Sequence, residues 1–427
     1  MRRLFGLGVI LSSGLIAACG SSSSPPSGTG GGGGVADGGG QAGAAAGMTG
    51  QGGGGAGGQP AGGAAGQASG GAGGQPAGGA GGQSVGGAPG ACLDPSMFSS
   101  NFAIADSSFC AVALYAAPES IAYQVPTWGS HGGPLVVQPA TGTGATLERW
   151  TAPTTGTTGT MTVQTTTVAA ALPASTFLGA QALDLTFFGW TAISWTNPFP
   201  DSTGQFEMVA SGAVATSYML NGPYGVAAVP AASSLGRLLY TGLSPLGVPA
   251  TSVAGLYAAD ACSSPAQALG TGTDCSASAL VAAWGDSTGP IVTDSNGDAF
   301  AVMPTIATGM QEARGFLASS IARGAAATAG VSLFTMTGSA VALAALAPSA
   351  GDPGLVIFQP DDSSFTPIDV VEQKFTTSNG LVAMGTPTKL LSVASGQGLS
   401  FLVDGSQRLW VAVSGASSTT YIVLARQ

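Results

Sequence analysis

The chain has 427 residues, of which only 7% are charged, and its 20 acidic side chains outnumber its 10 basic ones. The formal net charge of −10 excludes the cationic surface that binds phosphate backbones, so nucleic acid is not expected as a partner. A single histidine, His131, excludes every metal site that needs two imidazole ligands.

Residues 1–18 have the pattern of an export signal. A positively charged start precedes an apolar run at 4–17, which is shorter than the about 20 residues of a membrane-spanning helix. The sequence at 15–19, Leu-Ile-Ala-Ala-Cys, resembles the lipobox of bacterial lipoproteins. The resemblance implies cleavage before Cys19 and lipidation of its thiol. Gly20, where an aspartate would favour the inner membrane, implies anchoring in the outer membrane. The alternative is an ordinary signal peptide with an incidental cysteine.

Residues 19–90 are expected to be the lipidated cysteine followed by a disordered tether. From residue 20 onwards, glycine supplies 33 of 71 residues and Asp37 is the only charge, so the segment has no apolar face to bury. A repeat begins at Ala56 and again at Ala72. As a glycine-rich coil, the segment would span roughly 45–50 Å.

Residues 91–427 contain four cysteines, an even number that indicates disulfides in an exported domain. Proximity in sequence favours the pairs Cys92–Cys110 and Cys262–Cys275. A four-cysteine zinc site is the rival interpretation, but no two of these cysteines have the CxxC spacing.

The same residues, 91–427, predict an all-β domain. Short runs rich in Val, Leu, Thr and aromatic residues are separated by clusters of Gly, Pro, Asp, Asn and Ser. The clearest predicted strands are Phe109–Tyr115, Met161–Val168, Leu183–Trp195, Phe206–Leu220, Leu355–Phe358 and Leu409–Val413. One helix is predicted over Met310–Gly324, although Gly315 is unfavourable inside it.

Turn-plus-strand units recur along this domain. Turns containing Asp294, Asp352 and Asp404 each lead into an apolar strand, and related patterns lie at 132–137, 179–187 and 234–240. Six units of about 40–60 residues predict a six-bladed β-propeller. The turn and strand signature resembles NHL-type propellers. A β-sandwich or a β-solenoid is the alternative. In a propeller, the segment with Cys92 and Cys110 is expected to close the ring against Tyr421–Leu424.

The sequence at 285–290, Gly-Asp-Ser-Thr-Gly-Pro, resembles the nucleophile loop of chymotrypsin-like serine proteases. The resemblance implies that Ser287 is the nucleophile and His131 the base. Thr288 departs from the family's glycine, and a polar turn between strands is the alternative. The acid that orients the base would be Asp184, Asp201 or Asp260.

Asp294, Asn296 and Asp298 have the oxygen ligands of a small calcium loop. Gly297 comes two places earlier than in an EF-hand, so a structural turn is the alternative interpretation. No other metal or cofactor is expected. Glycoside hydrolysis by two carboxylates stays open, because the distances between the acidic side chains cannot be inferred from the sequence.

These features lead to one hypothesis and two alternatives. The hypothesis is a non-enzymatic envelope lipoprotein that is bound to the membrane through its lipid and displays a binding or scaffolding domain for a protein or glycan. The first alternative is a secreted hydrolase, either serine-type with Ser287 and His131 or a carboxylate-based glycosidase. The second alternative is a structural surface-coat protein.

Overall fold

Strands make up most of the chain wherever its structure is described. The computed structural model describes residues 91–98, 102–121, 124–139, 145–168, 178–185, 190–196, 203–210, 213–221, 225–229, 237–242, 255–260, 279–283, 290–305, 310–322, 325–337, 340–360, 368–394, 398–415 and 417–427. Between 178 and 229 the description covers the backbone only. Cys19, the predicted tether and the predicted pair Cys262–Cys275 lie outside these residues.

The described residues form 27 strands, numbered here in chain order. The first thirteen are β1 (Phe102–Ile104), β2 (Phe109–Ala116), β3 (Gln124–Val125), β4 (Thr127–Gly129), β5 (Gly133–Pro139), β6 (Ala145–Thr151), β7 (Thr158–Thr160), β8 (Thr162–Val168), β9 (Leu178–Leu185), β10 (Trp190–Thr196), β11 (Thr203–Ala210), β12 (Ala213–Asn221) and β13 (Gly225–Val229). The others are β14 (Arg237–Gly242), β15 (Gly255–Asp260), β16 (Ala279–Ala283), β17 (Ile291–Thr293), β18 (Ala299–Thr305), β19 (Met310–Phe316), β20 (Val331–Thr337), β21 (Ala340–Leu346), β22 (Gly354–Pro360), β23 (Ile368–Thr376), β24 (Val382–Val393), β25 (Gly398–Val403), β26 (Leu409–Ser414) and β27 (Thr419–Arg426).

Helix is confined, in the described part of the chain, to two 3₁₀ turns at Pro95–Met97 and Ala318–Ser320. Neither these turns nor any other described segment forms an apolar helix long enough to cross a membrane. The predicted all-β class is therefore confirmed.

The strands pair mainly with their neighbours in sequence and form six sheets of four or five strands. In chain order these are sheet I (β4-β5-β6-β8), sheet II (β12-β11-β10-β9-β3), sheet III (β13-β14-β15-β16), sheet IV (β17-β18-β19-β20), sheet V (β1-β24-β23-β22-β21) and sheet VI (β25-β26-β27-β2-β7). One strand of each sheet touches one strand of the next in cyclic order, β4 with β9, β9 with β13, β13 with β17, β17 with β21, β21 with β25 and β25 with β4. The sheets therefore form a ring that resembles a β-propeller.

The N-terminal segment completes two of these sheets. Strand β1 pairs with β24 in sheet V, and β2 pairs antiparallel with the last strand, β27, in sheet VI. The predicted disulfide Cys92–Cys110 is present, with the two Cα atoms 5.5 Å apart. The predicted closure against Tyr421–Leu424 is confirmed, because Tyr115 lies opposite Tyr421.

Aromatic side chains fill the interface between sheet I and sheet VI, the sheet in which β2 pairs with β27. Trp410 of β26 lies at the centre, with its ring centroid 5.0 Å from that of Trp128 and 5.6 Å from that of Tyr115. Trp150 packs edge-on against Tyr421 at 6.1 Å. Such large buried rings contribute much of the apolar area that holds two sheets together.

Two predicted strands are hairpins instead. Leu183–Trp195 divides into β9 and β10, and Phe206–Leu220 divides into β11 and β12. In the second hairpin Ala210 lies opposite Ala213, so two residues, Ser and Gly in the sequence, join the strands. A single strand of that length would extend about 50 Å, whereas the antiparallel pairing of β11 with β12 brings the chain back on itself.

The helix predicted over Met310–Gly324 is wrong. Its first half is β19, between β18 and β20, and Gln311, Ala313 and Gly315 face the interior at the two-residue period of a strand. Gly315 is a packing position, because a Cβ atom added there would lie 2.1 Å from Leu381 Cδ2.

Removing the disulfide tests how strongly the N-terminal segment is held. For the double variant Cys92→Ser/Cys110→Ser we expect the free energy of unfolding in urea to fall by about 3 kcal/mol, because the unfolded chain regains the freedom of the closed loop. The other cysteines stay unchanged, and tryptophan fluorescence follows unfolding. A loss below about 1 kcal/mol would contradict the role of the disulfide in closing the ring.

Candidate functional site

The turn between β4 and β5 contains His131, the predicted base. Its Nε2 atom donates a hydrogen bond to the carbonyl oxygen of Trp150, 3.1 Å away. Gly133 permits this approach, since a Cβ atom there would lie 2.0 Å from the same oxygen. A serine triad uses Nε2 to accept the serine proton, so this hydrogen bond occupies the nitrogen that the predicted triad requires.

The other members of the predicted triad are only partly covered by the structure. Ser287, the proposed nucleophile, and Asp201 lie outside the described residues. Asp184 belongs to β9 and Asp260 to β15, and the description there covers their backbone. The assignment of Ser287 as nucleophile stays a prediction.

Asp294, Asn296 and Asp298 come together in the tight turn between β17 and β18. The Oδ1 atom of Asp294 accepts hydrogen bonds from the backbone N–H groups of Asn296 and Asp298, at 2.9 and 3.0 Å. Asp298 Oδ1 accepts another from Ala318 N at 2.7 Å. Burial, and next the charge of Asp298, raises the pKa of Asp294 to about 6. In the described part of the chain no three His, Cys, Asp or Glu side chains group as metal ligands.

A pair of carboxyl groups, one of them buried, lies where the N-terminal segment meets sheet V, and the sequence analysis missed it. Glu372 of β23 is 1% exposed and contacts Asp106, in the turn between β1 and β2. Glu372 Oε1 accepts a hydrogen bond from Thr388 Oγ1 at 3.3 Å and lies 3.6 Å from Lys374 Nζ. Its Oε2 atom is buried and accepts from no donor in the described part of the chain.

The two carboxyl groups have pKa values shifted in opposite directions. Burial, together with the nearby Asp106, raises the pKa of Glu372 to about 7. Burial works against ionisation of Asp106 too, but hydrogen bonds from Ser108 and Glu372 outweigh it and lower its pKa. The pair therefore shares one proton near neutral pH, held on Glu372.

The contact between these carboxyl groups bears on glycoside hydrolysis. Retaining glycosidases hold their two carboxyl groups about 5–5.5 Å apart, and inverting ones hold them farther apart. Asp106 and Glu372 are in hydrogen-bonding contact instead. Their geometry suits a structural contact that holds the N-terminal segment against sheet V. Only Asp106 has a local signal in the sequence, because its Oδ1 accepts from Ser108 N at 2.8 Å in an Asx turn.

An uncharged surface follows the outer edges of sheets I and VI. Residues 151–168 contain no charged side chain, and they include β7, the edge of sheet VI, and β8, the edge of sheet I. We name their exposed hydroxyl groups the threonine surface. Its members are Thr151, Thr154, Thr155, Thr157, Thr158, Thr160, Thr162, Thr165 and Thr167. Hydroxyl groups both donate and accept hydrogen bonds, so this surface can bind a neutral polar partner.

No protein-family model and no curated protein matches this chain. Among solved structures, a glucose dehydrogenase matches with 8% identity and a TM-score of 0.42, over 73% of this chain and 99% of that one. A mutant of AofleA from Arthrobotrys oligospora matches with 12% identity and a TM-score of 0.39, over 71% and 80%. The GH43_1 enzyme of Xanthomonas citri matches with 11% identity and a TM-score of 0.29, over 73% and 87%. All three TM-scores lie below 0.5, so neither activity nor ligand is taken from these proteins.

The variant Glu372→Gln tests the shared proton. Because the pKa of Glu372 is raised from 4.5 to about 7 on folding, its proton stabilises the fold fully below 4.5, and this stability is lost as the pH rises through 7. Glutamine stays neutral and can donate to Asp106. Above pH 7 we therefore expect the variant to exceed the wild type in unfolding free energy by on the order of 2 kcal/mol.

The matched control for this measurement is Asp369→Asn on the same strand. Asp369 pairs with Lys389 at 2.8 Å in a solvent-exposed ion pair, so its loss should change stability by less than about 1 kcal/mol. Urea unfolding over a series of pH values reports both variants. An equally steep pH dependence in Glu372→Gln and the wild type would show that the pair does not share a proton.

Proposed function

We propose that this protein is an exported lipoprotein, anchored in the outer membrane through Cys19, whose domain binds a neutral glycan at the end of a tether. The lipobox at 15–19 supports the anchor, and the glycine-rich composition of 20–90 supports the tether. The domain boundaries at 18 and 90 belong to the same proposal.

The observation that carries the proposal is the way the domain begins. Directly after the glycine-rich sequence, Cys92 forms a disulfide with Cys110 of β2, a strand inside sheet VI. The last residue, Gln427, donates from its backbone N–H to the oxygen of Ser108 at 2.9 Å and from Nε2 to Cys92 Sγ at 3.1 Å. Cys92 and Gln427 thus both lie at the ring closure, an arrangement in which the proposed tether leads directly into the closing sheet.

The ring itself is proposed to be a six-bladed β-propeller, with one blade for each of sheets I to VI. Two features support this count. Each sheet is built almost wholly from consecutive strands. One strand of each sheet touches one strand of the next, in cyclic order around the ring. In sheet VI the C-terminal residues contribute β25, β26 and β27, and β2 from the N-terminal segment pairs with β27 as the fourth strand of the blade.

The threonine surface supports a glycan as the partner. A polysaccharide offers many neutral hydroxyl groups, and residues 151–168 present hydroxyl and amide groups without any charge. The net charge of −10 disfavours acidic partners such as anionic polymers. A surface-coat protein is the alternative that the binding experiment addresses, because a coat has no saturable ligand.

Replacing Cys19 tests the anchor. In Cys19→Ser cells we expect the protein to leave the membrane fraction and to incorporate no labelled palmitate, because the acyl chains provide the attachment. Detergent phase partitioning and mass spectrometry of the mature N-terminus measure both effects. A wild-type protein without acyl groups on Cys19 would overturn the anchor.

Binding to the threonine surface is tested with the unlipidated Cys19→Ser chain on immobilised neutral polysaccharides. We expect saturable binding, weakened at least about tenfold by Thr158→Arg/Thr165→Arg, since a loss of that size corresponds to about 1.4 kcal/mol of hydrogen-bonding contacts. The control is Val382→Arg, at a side chain 50% exposed in sheet V. Absence of saturable binding, or equal loss in the control, would contradict the proposed surface.

A further inference from the structure

Two hairpin turns of this ring have the same backbone. The turn at 294–298 joins β17 to β18, and the turn at 404–408 joins β25 to β26. In each, the first aspartate accepts from two backbone N–H groups through Oδ1, at 2.9 and 3.0 Å for Asp294 and at 2.9 Å twice for Asp404. The fourth residue of each turn has a positive φ, 82° at Gly297 and 59° at Gln407.

The two turns differ in the hydrogen-bond donors to the Oδ2 atom of the aspartate. Asp404 Oδ2 accepts from Arg408 Nε at 2.6 Å and from the indole N–H of Trp410 at 3.0 Å. At the equivalent positions of the other turn stand Asp298 and Phe300. Neither replacement can donate to a carboxylate, and one of them adds a second negative charge.

The second carboxylate oxygen of Asp294 is therefore without a hydrogen-bond donor in the described part of the chain. The residue is 6% exposed, and its Oδ2 atom has no hydrogen-bond partner among the described residues. Asp298 is 5% exposed and close enough for its charge to act on Asp294. A buried carboxylate oxygen without a donor is costly, and a second carboxylate beside it increases that cost.

We propose that Asp294 and Asp298 bind a hard divalent cation, Ca²⁺ or Mg²⁺, which occupies the place that the Arg408 guanidinium takes in the other turn. Asp294 Oδ2 is the primary ligand. Asp298 contributes its second oxygen, because Oδ1 already accepts from Ala318 N at 2.7 Å. Carboxylate oxygens are the ligands that both ions prefer, and a site with two of them leaves the remaining positions to water.

The experiment is calorimetric titration of the full Cys19→Ser chain with CaCl₂ and, separately, with MgCl₂ near neutral pH. We expect one ion per chain at this turn, with a dissociation constant of about 10⁻⁴–10⁻³ M, the range of weak extracellular calcium sites. The ion that binds more tightly identifies the cation. Melting temperature in the presence of that ion should rise accordingly.

The decisive variant is Asp298→Arg, which rebuilds the turn in the form found at 404–408. It should bind one ion fewer than the parent chain and melt at a higher temperature without metal. Asp294→Asn keeps the Oδ1 acceptor and should also lose the ion, so the test survives if the arginine variant fails to fold. The control Asp352→Arg makes the same charge change in the exposed turn of sheet V and should keep the ion. If the parent chain binds neither ion, or if Asp298→Arg and Asp294→Asn bind as the parent does, the site does not exist.

Discussion

The pairing of β2 with β27 is the interaction on which the rest of the ring depends. It joins segments from opposite ends of the domain, and a side-chain contact beside it, from Ile121 N to Thr419 Oγ1, spans 298 residues. Closing a chain of that length costs on the order of 5 kcal/mol in entropy. Backbone pairing along eight residues, the aromatic cluster around Trp410 and the disulfide Cys92–Cys110 together offset this cost. Without the closure, sheets I and VI would expose the large rings that now pack between them.

Charge is scarce in this chain, and its buried carboxylates are stabilised in different ways. Asp404 has a guanidinium and an indole N–H within hydrogen-bonding distance. Burial, together with Asp106, raises the pKa of Glu372 to about 7, so the protonated form is favoured below neutral pH. The Oδ2 atom of Asp294 has no hydrogen-bond donor among the described residues, and the cation that we propose would bind at this oxygen. The turns at Asp294 and Asp404 have the same backbone hydrogen bonds, and only the partner of the carboxylate differs between them.

Local signals in the sequence were sufficient wherever a few neighbouring residues determine the structure. The turns at Asp294 and Asp404 were predicted because their hydrogen bonds stay within five residues, and the disulfide because its cysteines are 18 apart. The helix at Met310–Gly324 was predicted wrongly, because the pairing of β19 with β18 and β20, which local sequence does not reveal, determines its conformation. Gly315 packs there against Leu381, which lies between β23 and β24. The contact between Glu372 and Asp106 could not be predicted, since only the assembled ring brings β23 next to the N-terminal turn, and the Asx turn at Asp106 is the one local signal. The threonine surface was missed because it lacks the apolar alternation of a half-buried strand.

The disulfide also determines how the domain would respond to mechanical force. A pull on the N-terminus passes from Cys92 directly to Cys110 through the sulfur bridge, so the intervening residues, including β1, carry none of the load. The load enters β2 at its first residues and acts along the strand, and the hydrogen bonds to β27 resist it together in shear rather than opening one after another. Shear along a central strand is the loading direction in which a sheet yields last. A pull on Cys92 is therefore resisted by the paired strands β2 and β27, and the residues bypassed by the disulfide can stay folded while the load is borne.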